Sequence, residues 1–400
     1  MFLSIFIGHL FFPSDMPVWL SQVQTYGIFA AGYLIRPFGG IVMAHFGDKF
    51  GRKKMFTLSL LLMALPTLLI GCLPTYQSAG IIAPLLLLLM RLCQGLAVGG
   101  EVPGAWTFVA EHVPHHRVGI ACGILTAGLS LGILLGSLVS VMVTRYFSAE
   151  SMLTIGWRLP FILGGIFGFI AMFLRRWLKE TPVFLEMQKQ RQHEKDRAIP
   201  VMVVIAKYLP QTIISMLLTW VLSAGIMVVI LMTPNYLQTQ FNISSQVALE
   251  ANALAIIGLI VGCIVYGGLA DKISIGKIIS WGCALAVLAI AAFYTSLQYR
   301  PELLWVTYIL AGFTVGVVGS FAYFMVRCYP ASVRYSGVSF SFNVAYAIAG
   351  GLTPLLIALL THFATGFAAA YYVVALFGIG ILLGILLIYK AKKLTATEMQ

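Results

Sequence analysis

The sequence predicts an all-α integral membrane protein with about twelve transmembrane helices in two six-helix, pseudo-symmetric halves. Three observations carry this. Of 400 residues, 60% are hydrophobic and only 10% are charged, too few polar side chains to cover a soluble domain. Apolar runs of about twenty residues, enough to cross roughly 30 Å of hydrocarbon as helix, recur from end to end without the alternation of barrel strands. An acidic–basic turn also occurs twice, as GDKFGRKK (Gly47 to Lys54) and as ADKISIGK (Ala270 to Lys277), which reads as an internal duplication.

Hydropathy and turn residues place the first six spans near 2–12, 22–45, 54–74, 81–110, 119–143 and 156–176. The first is too short to cross, because Pro13 closes it, so the first helix is read as truncated. The polar stretch LEMQKQRQHEKDRAIP then divides the chain into an N-terminal half (1–184), a linker (185–201) and a C-terminal half (202–400). Six more spans follow near 209–236, 247–270, 277–297, 302–328, 335–361 and 368–390.

The net charge of +12 is dispersed over loops and forms no continuous stripe, which excludes nucleic acid as a partner. Membrane orientation accounts for it. Lysines and arginines gather on one face, whereas the other carries only Arg145, Arg158 and Arg300. The positive-inside rule therefore puts both termini in the cytoplasm, in a plasma (inner) membrane protein expected to be a monomer. Cys72, Cys93, Cys122, Cys263, Cys283 and Cys328 lie in or beside apolar runs with no CxxC pair, and neither metal nor other cofactor is expected. With no nucleophile–base set and no nucleotide loop, enzymatic chemistry is not expected either.

Ionisable residues inside spans are costly, at roughly 2.5–3.5 kcal/mol each at mid-helix, and tend to face cavities or partners. Arg36 and Glu101 lie at similar depth, about 15 Å from the same membrane face, where a pair between them is sterically reasonable. Glu101 reads either as a structural salt bridge or as a proton-coupling carboxyl, with Arg36 as its partner. Arg91 reads as a fixed cation for a carboxylate or phosphate, or as an interhelical polar contact, and Gln94 one turn on offers a neutral hydrogen bond. Asn343 on the eleventh span is a candidate solute contact, and the Gly350–Gly351–Pro354 run suggests a bend. Glycines at four-residue intervals on the fourth span (Gly95, Gly99, Gly100, Gly104) and fifth span (Gly128, Gly132, Gly136) predict close helix packing.

These residues resemble the major facilitator superfamily, whose loop between the second and third helices carries G-x-x-x-D-x-x-G-R-K/R. Here Ala44 takes the first place, while Asp48, Gly51, Arg52 and Lys53 match. The resemblance implies that the Asp faces the start of the eleventh helix and that the Arg pairs with a carboxylate ending the fourth, here Glu111. Together these would latch the protein in one access state. Asp271 heads the second, weaker copy, in which Ser274 and Ile275 replace Gly and Arg.

YLIRPFGG, RLCQGLAVGGE, GWRLPF, ETPVF, VRYSGVSFSFN and GGLTP are similar to the metabolite:proton symporter family of proline/betaine, 2-oxoglutarate, citrate and shikimate permeases. The charged segment of the E-W-Y-D-F type that members carry early in the first helix does not occur here. The resemblance implies a major facilitator fold and proton-coupled uptake of a small carboxylate or zwitterion by alternating access. Its alternatives are proton-linked efflux of amphipathic compounds, or a transport-incompetent receptor.

Overall fold

The computed structural model describes residues 4–13, 15–177, 179–183, 186, 200–363 and 367–397. Among these residues the backbone is helical and contains no strand. The main helices are α1 (Ser4–Phe11), α2 (Val18–Leu34), α3 (Arg36–Phe50), α4 (Arg52–Cys72), α5 (Ile82–His112), α6 (Val118–Tyr146) and α7 (Arg158–Leu174). They continue as α8 (Leu209–Ala224), α9 (Thr233–Phe241), α10 (Ser245–Ala270), α11 (Ile275–Tyr299), α12 (Leu304–Val315), α13 (Val318–Arg327), α14 (Arg334–Phe363) and α15 (Ala368–Thr397).

Ten stretches among the described residues are long and apolar enough to cross a membrane, and they coincide with every expected span except the first and eleventh. At 8 residues, α1 reaches only about 12 Å, yet it is anchored: Ile7, Phe11, Ile70, Leu87 and Trp157 share one buried cluster. The eleventh span is α14, whose 30 residues reach about 45 Å. It runs unbroken through Gly350 and Pro354, so the expected bend does not interrupt the helix. Most of the expected linker lies outside the described residues.

Among the described residues the second, seventh and tenth spans are interrupted, the second and seventh beside a proline. The second breaks at Ile35, between α2 and α3, because Pro37 has no N–H to offer the carbonyl of Tyr33. Its ladder resumes with Gly39 N–H to Ile35 O at 3.2 Å. The seventh widens into a π-helical stretch, Gly225–Met232, ahead of Pro234 in α9. The tenth breaks between α12 and α13, at Gly316 and Val317.

The chain forms two compact units: Met1–Phe108, Leu135–Val203 and Ala331–Ala347 in the first, and Val109–Leu134, Val204–Pro330 and Ile348–Gln400 in the second. Each sequence half thus gives part of its fifth span (α6 or α14) to the other unit. Within the first unit, α4 and α7 meet through small residues: a Cβ on Gly168 would lie 2.6 Å from that of Ala64, and one on Gly165 equally close to that of Leu68. The Arg158 guanidinium closes this pair's end by donating to the carbonyls of Gly71 (2.9 Å) and Leu73 (2.8 Å), the last turn of α4. Within the second unit, Gly258 and Gly262 of α10 abut the backbone of Ile309 and Phe313 in α12.

The fourth-span glycines pack as expected. Gly95 abuts the backbone of Gly32, and Gly99 that of Arg36 and Gly40. The fifth-span glycines do not: among the described residues nothing lies within 4 Å of where a Cβ on Gly128, Gly132 or Gly136 would stand. Four-residue spacing places them on one face without assigning that face a partner.

Candidate functional site

The first unit holds the intramembrane ions. Arg91 of α5 donates through Nη1 to Gln94 Oε1 at 3.0 Å, and Gln94 Nε2 donates to Thr67 Oγ1 at 2.7 Å. The Thr67 hydroxyl donates in turn to the Met63 carbonyl at 2.6 Å. Gln94 is therefore engaged at both ends of its amide and holds Arg91 in place. The guanidinium lies 4.2 Å from the centroid of Phe29 in α2, and its Nε is buried with no hydrogen-bond partner among the described residues.

Arg36, at the start of α3, is directed by the Pro37 break toward the aromatic residues of α14. Its guanidinium carbon lies 4.2 Å from the centroid of Tyr346, 5.7 Å from Phe342 and 5.8 Å from Tyr33. Trp106 backs Phe342 edge-on at 5.0 Å. Arg36 is only 6% exposed, and its Nε also has no partner among the described residues. Cation–π contact satisfies part of what burial removes.

The expected Arg36–Glu101 pair is absent. Glu101 Oε1 instead meets Arg175 Nη2 at 3.5 Å, with side-chain exposures of 20% and 21% that leave the pair partly open. Helix geometry explains the correction. Gly99 is the α5 residue that faces Arg36, and at about 100° per residue Glu101 points some 200° away, toward the end of α7.

The start of α14 lies along α3 and α5 as a row at i, i+4 and i+8. Tyr335 Oη donates to Gly100 O at 2.7 Å, Ser339 Oγ to Gly40 O at 2.9 Å, and Asn343 Nδ2 to Gly99 O at 2.6 Å. Glycines make the row possible. A Cβ on Gly104 would lie 2.8 Å from Tyr335 Oη, and one on Gly47 would enter the Tyr335 ring. Asn343, expected at the solute path, is buried and joins helix to helix through Nδ2, while its Oδ1 remains unsatisfied.

At the basic end, Gly51 ends α3 with φ of 113°, a conformation suited to glycine. The next turn opens α4, where the backbone N–H of Lys53 is bonded by Glu180 of ETPVF, at 3.2 and 3.3 Å to its two oxygens. A carboxylate there answers the helix dipole. In the second unit Asp271 does the same for α6, accepting the N–H of Gly119 at 2.7 Å and of Ile120 at 2.8 Å. Glu111 is buried near the end of α5. The side chains of Asp48 and Arg52 lie outside the described residues.

Sequence reasoning missed Arg175, Glu180, Tyr335 and the aromatic partners Phe29 and Phe342. Tyr33 had a signal, standing one turn before Arg36; Arg175 and Phe342 had none, being distant in sequence from what they touch.

Residues 2–354 match the family described as the Major Facilitator Superfamily. The chain is 32% identical over 401 residues to the "Proline/betaine transporter" of Escherichia coli (strain K12), covering 96% of this chain and 78% of that protein. It is 31% identical over 409 residues to the "Glycine betaine/proline/ectoine/pipecolic acid transporter OusA" of Dickeya dadantii (strain 3937), covering 98% and 80% respectively. The fold is similar to that of the proton:xylose symporter XylE, at a TM-score of 0.76 and 17% identity, covering 97% of this chain and 90% of that one.

Proposed function

This chain belongs to the Major Facilitator Superfamily and, within it, to the metabolite:proton symporter family, and we propose that it takes up a small zwitterion or organic acid with protons by alternating access. It is a multi-pass membrane transporter and not an enzyme. Proline and betaines, named for the relatives, are the first candidate solutes. The reading places the protein in the plasma (inner) membrane as a monomer with both termini in the cytoplasm.

The observation that carries the reading is Arg91. Its guanidinium is held by a neutral amide and an aromatic ring, with no carboxylate in salt-bridge range among the described residues. Such a cation retains donors for a solute carboxylate, which it can bind in bidentate geometry. Arg36 is a second cation without an acidic partner among the described residues. Gln94 acts by aiming Arg91, and Asn343 by holding α14 against α5 until the solute is bound.

Glu101 is the proposed proton site. Protonation cancels its attraction to Arg175 and frees the end of α7, and loss of the proton restores the pair. Asp48, Gly51, Arg52, Glu111 and Asp271 are the proposed latch residues of the basic end; of these, Asp271 holds the start of α6 through the N–H groups of Gly119 and Ile120.

The test is uptake of labelled proline and glycine betaine into proteoliposomes holding the full chain under an imposed proton gradient. Accumulation beyond equilibrium that collapses with the gradient is expected. Uptake indifferent to the gradient would overturn proton coupling, and transport of no zwitterion or carboxylate would overturn the solute class.

A further inference from the structure

We infer that Tyr33, Phe342 and Tyr346 form a site for a quaternary ammonium group, and that Arg36 occupies it as a tethered surrogate until a zwitterionic solute displaces it. The inference rests on the solute class proposed above and names the group that discriminates within it.

Three rings from two separate helices converge on one cation. Tyr33 and Tyr346 lie nearly parallel, with centroids 6.1 Å apart and planes 21° apart, and Phe342 lies 5.3 Å from Tyr346. Phe342 is buried, whereas both tyrosines are half-buried. The face of an aromatic ring attracts cations, and several rings around one point suit a trimethylammonium head, which brings no hydrogen-bond demands. Guanidinium is also weakly hydrated and planar, which makes it a fitting occupant.

Arg36 is incompletely satisfied there. Among the described residues its Nε has no acceptor and no carboxylate lies in salt-bridge range. A buried charge without an anion has most to gain from a carboxylate. A zwitterion supplies both parts of an exchange: its carboxylate draws Arg36 into a bidentate pair, and its ammonium takes the vacated rings. The net charge of the site is unchanged. Because Tyr33 and Arg36 flank the α2–α3 break while Phe342 and Tyr346 ride on α14, the exchange also trades a direct tether between these helices for one that runs through the solute.

The experiment is equilibrium binding to the purified full chain in lipid nanodiscs, with three probes. Glycine betaine is compared with 3,3-dimethylbutyrate, its carbon isostere, which keeps the shape and the carboxylate and lacks only the positive charge. Betaine is expected to bind wild type at least about tenfold more tightly. Tetramethylammonium, which has no carboxylate to dislodge Arg36, is expected to bind Arg36→Gln about tenfold more tightly than wild type, and Tyr346→Leu added to that variant should remove the gain. Equal binding of betaine and its isostere overturns the inference without any variant having to fold. So does tetramethylammonium binding unchanged by Arg36→Gln. If proline or organic acids are transported while betaine and its isostere remain indistinguishable, only this inference fails. If no zwitterion or carboxylate is transported, the function proposed above fails as well.

Discussion

The carboxylate of Asp271 accepts the backbone N–H of Gly119 at 2.7 Å, so a residue just after α10 caps the start of α6 from 152 positions away. Its other oxygen serves Ile120. Helix-capping carboxylates contribute about 1 kcal/mol. Asp271→Ala should lower Tm by about 2 °C and slow turnover, with Asp271→Asn between it and wild type. Thermal unfolding of the purified protein checks the first part, and an unchanged Tm in the Ala variant would remove the capping role.

Glu101→Gln keeps the shape of the side chain but can neither ionise nor attract Arg175 as a charge. Gradient-driven accumulation should be lost while exchange of labelled for unlabelled solute continues, because exchange needs no net proton movement. Uphill accumulation at the wild-type level would reject Glu101 as the coupling carboxyl.

Two glycine substitutions on α5 should behave differently. A Cβ at Gly99 meets the backbone of Arg36 and Gly40, which cannot yield, so Gly99→Ala should sharply reduce folded protein in the membrane. At Gly104 the neighbour 2.8 Å away is only the Tyr335 hydroxyl. Gly104→Ala should therefore fold, yet lose the Tyr335–Gly100 bond of the row at the start of α14 and favour conformers in which the basic end is open. Alkylation of a cysteine introduced at that end reads the shift; equal labelling in variant and parent would count against a gating role for Tyr335.

Arg91→Lys preserves charge but not the planar fork. Transport by this variant should show KM raised about tenfold with a smaller change in maximal rate, the pattern of lost ground-state binding. An unaltered KM for every transported carboxylate would place Arg91 off the solute path.

Sequence by itself determined which segments are long and apolar enough to cross a membrane, the first and eleventh apart, since apolar length and the breaks at glycine and proline are local properties. It also supplied the repeat of acidic turns, of which Asp271 proved to be a helix cap, and the family, through phrases such as YLIRPFGG and RLCQGLAVGGE. Counting along a helix gives an expected depth but not a direction around the axis. Tertiary structure decided azimuth. Because Gly99 faces α3, Glu101 turns to Arg175, and because Pro37 breaks the second span, Arg36 reaches the rings of α14. Direction around a helix axis is fixed by what packs against it, and contacts such as Asn343 with Gly99, 244 residues apart, leave no local trace in the chain.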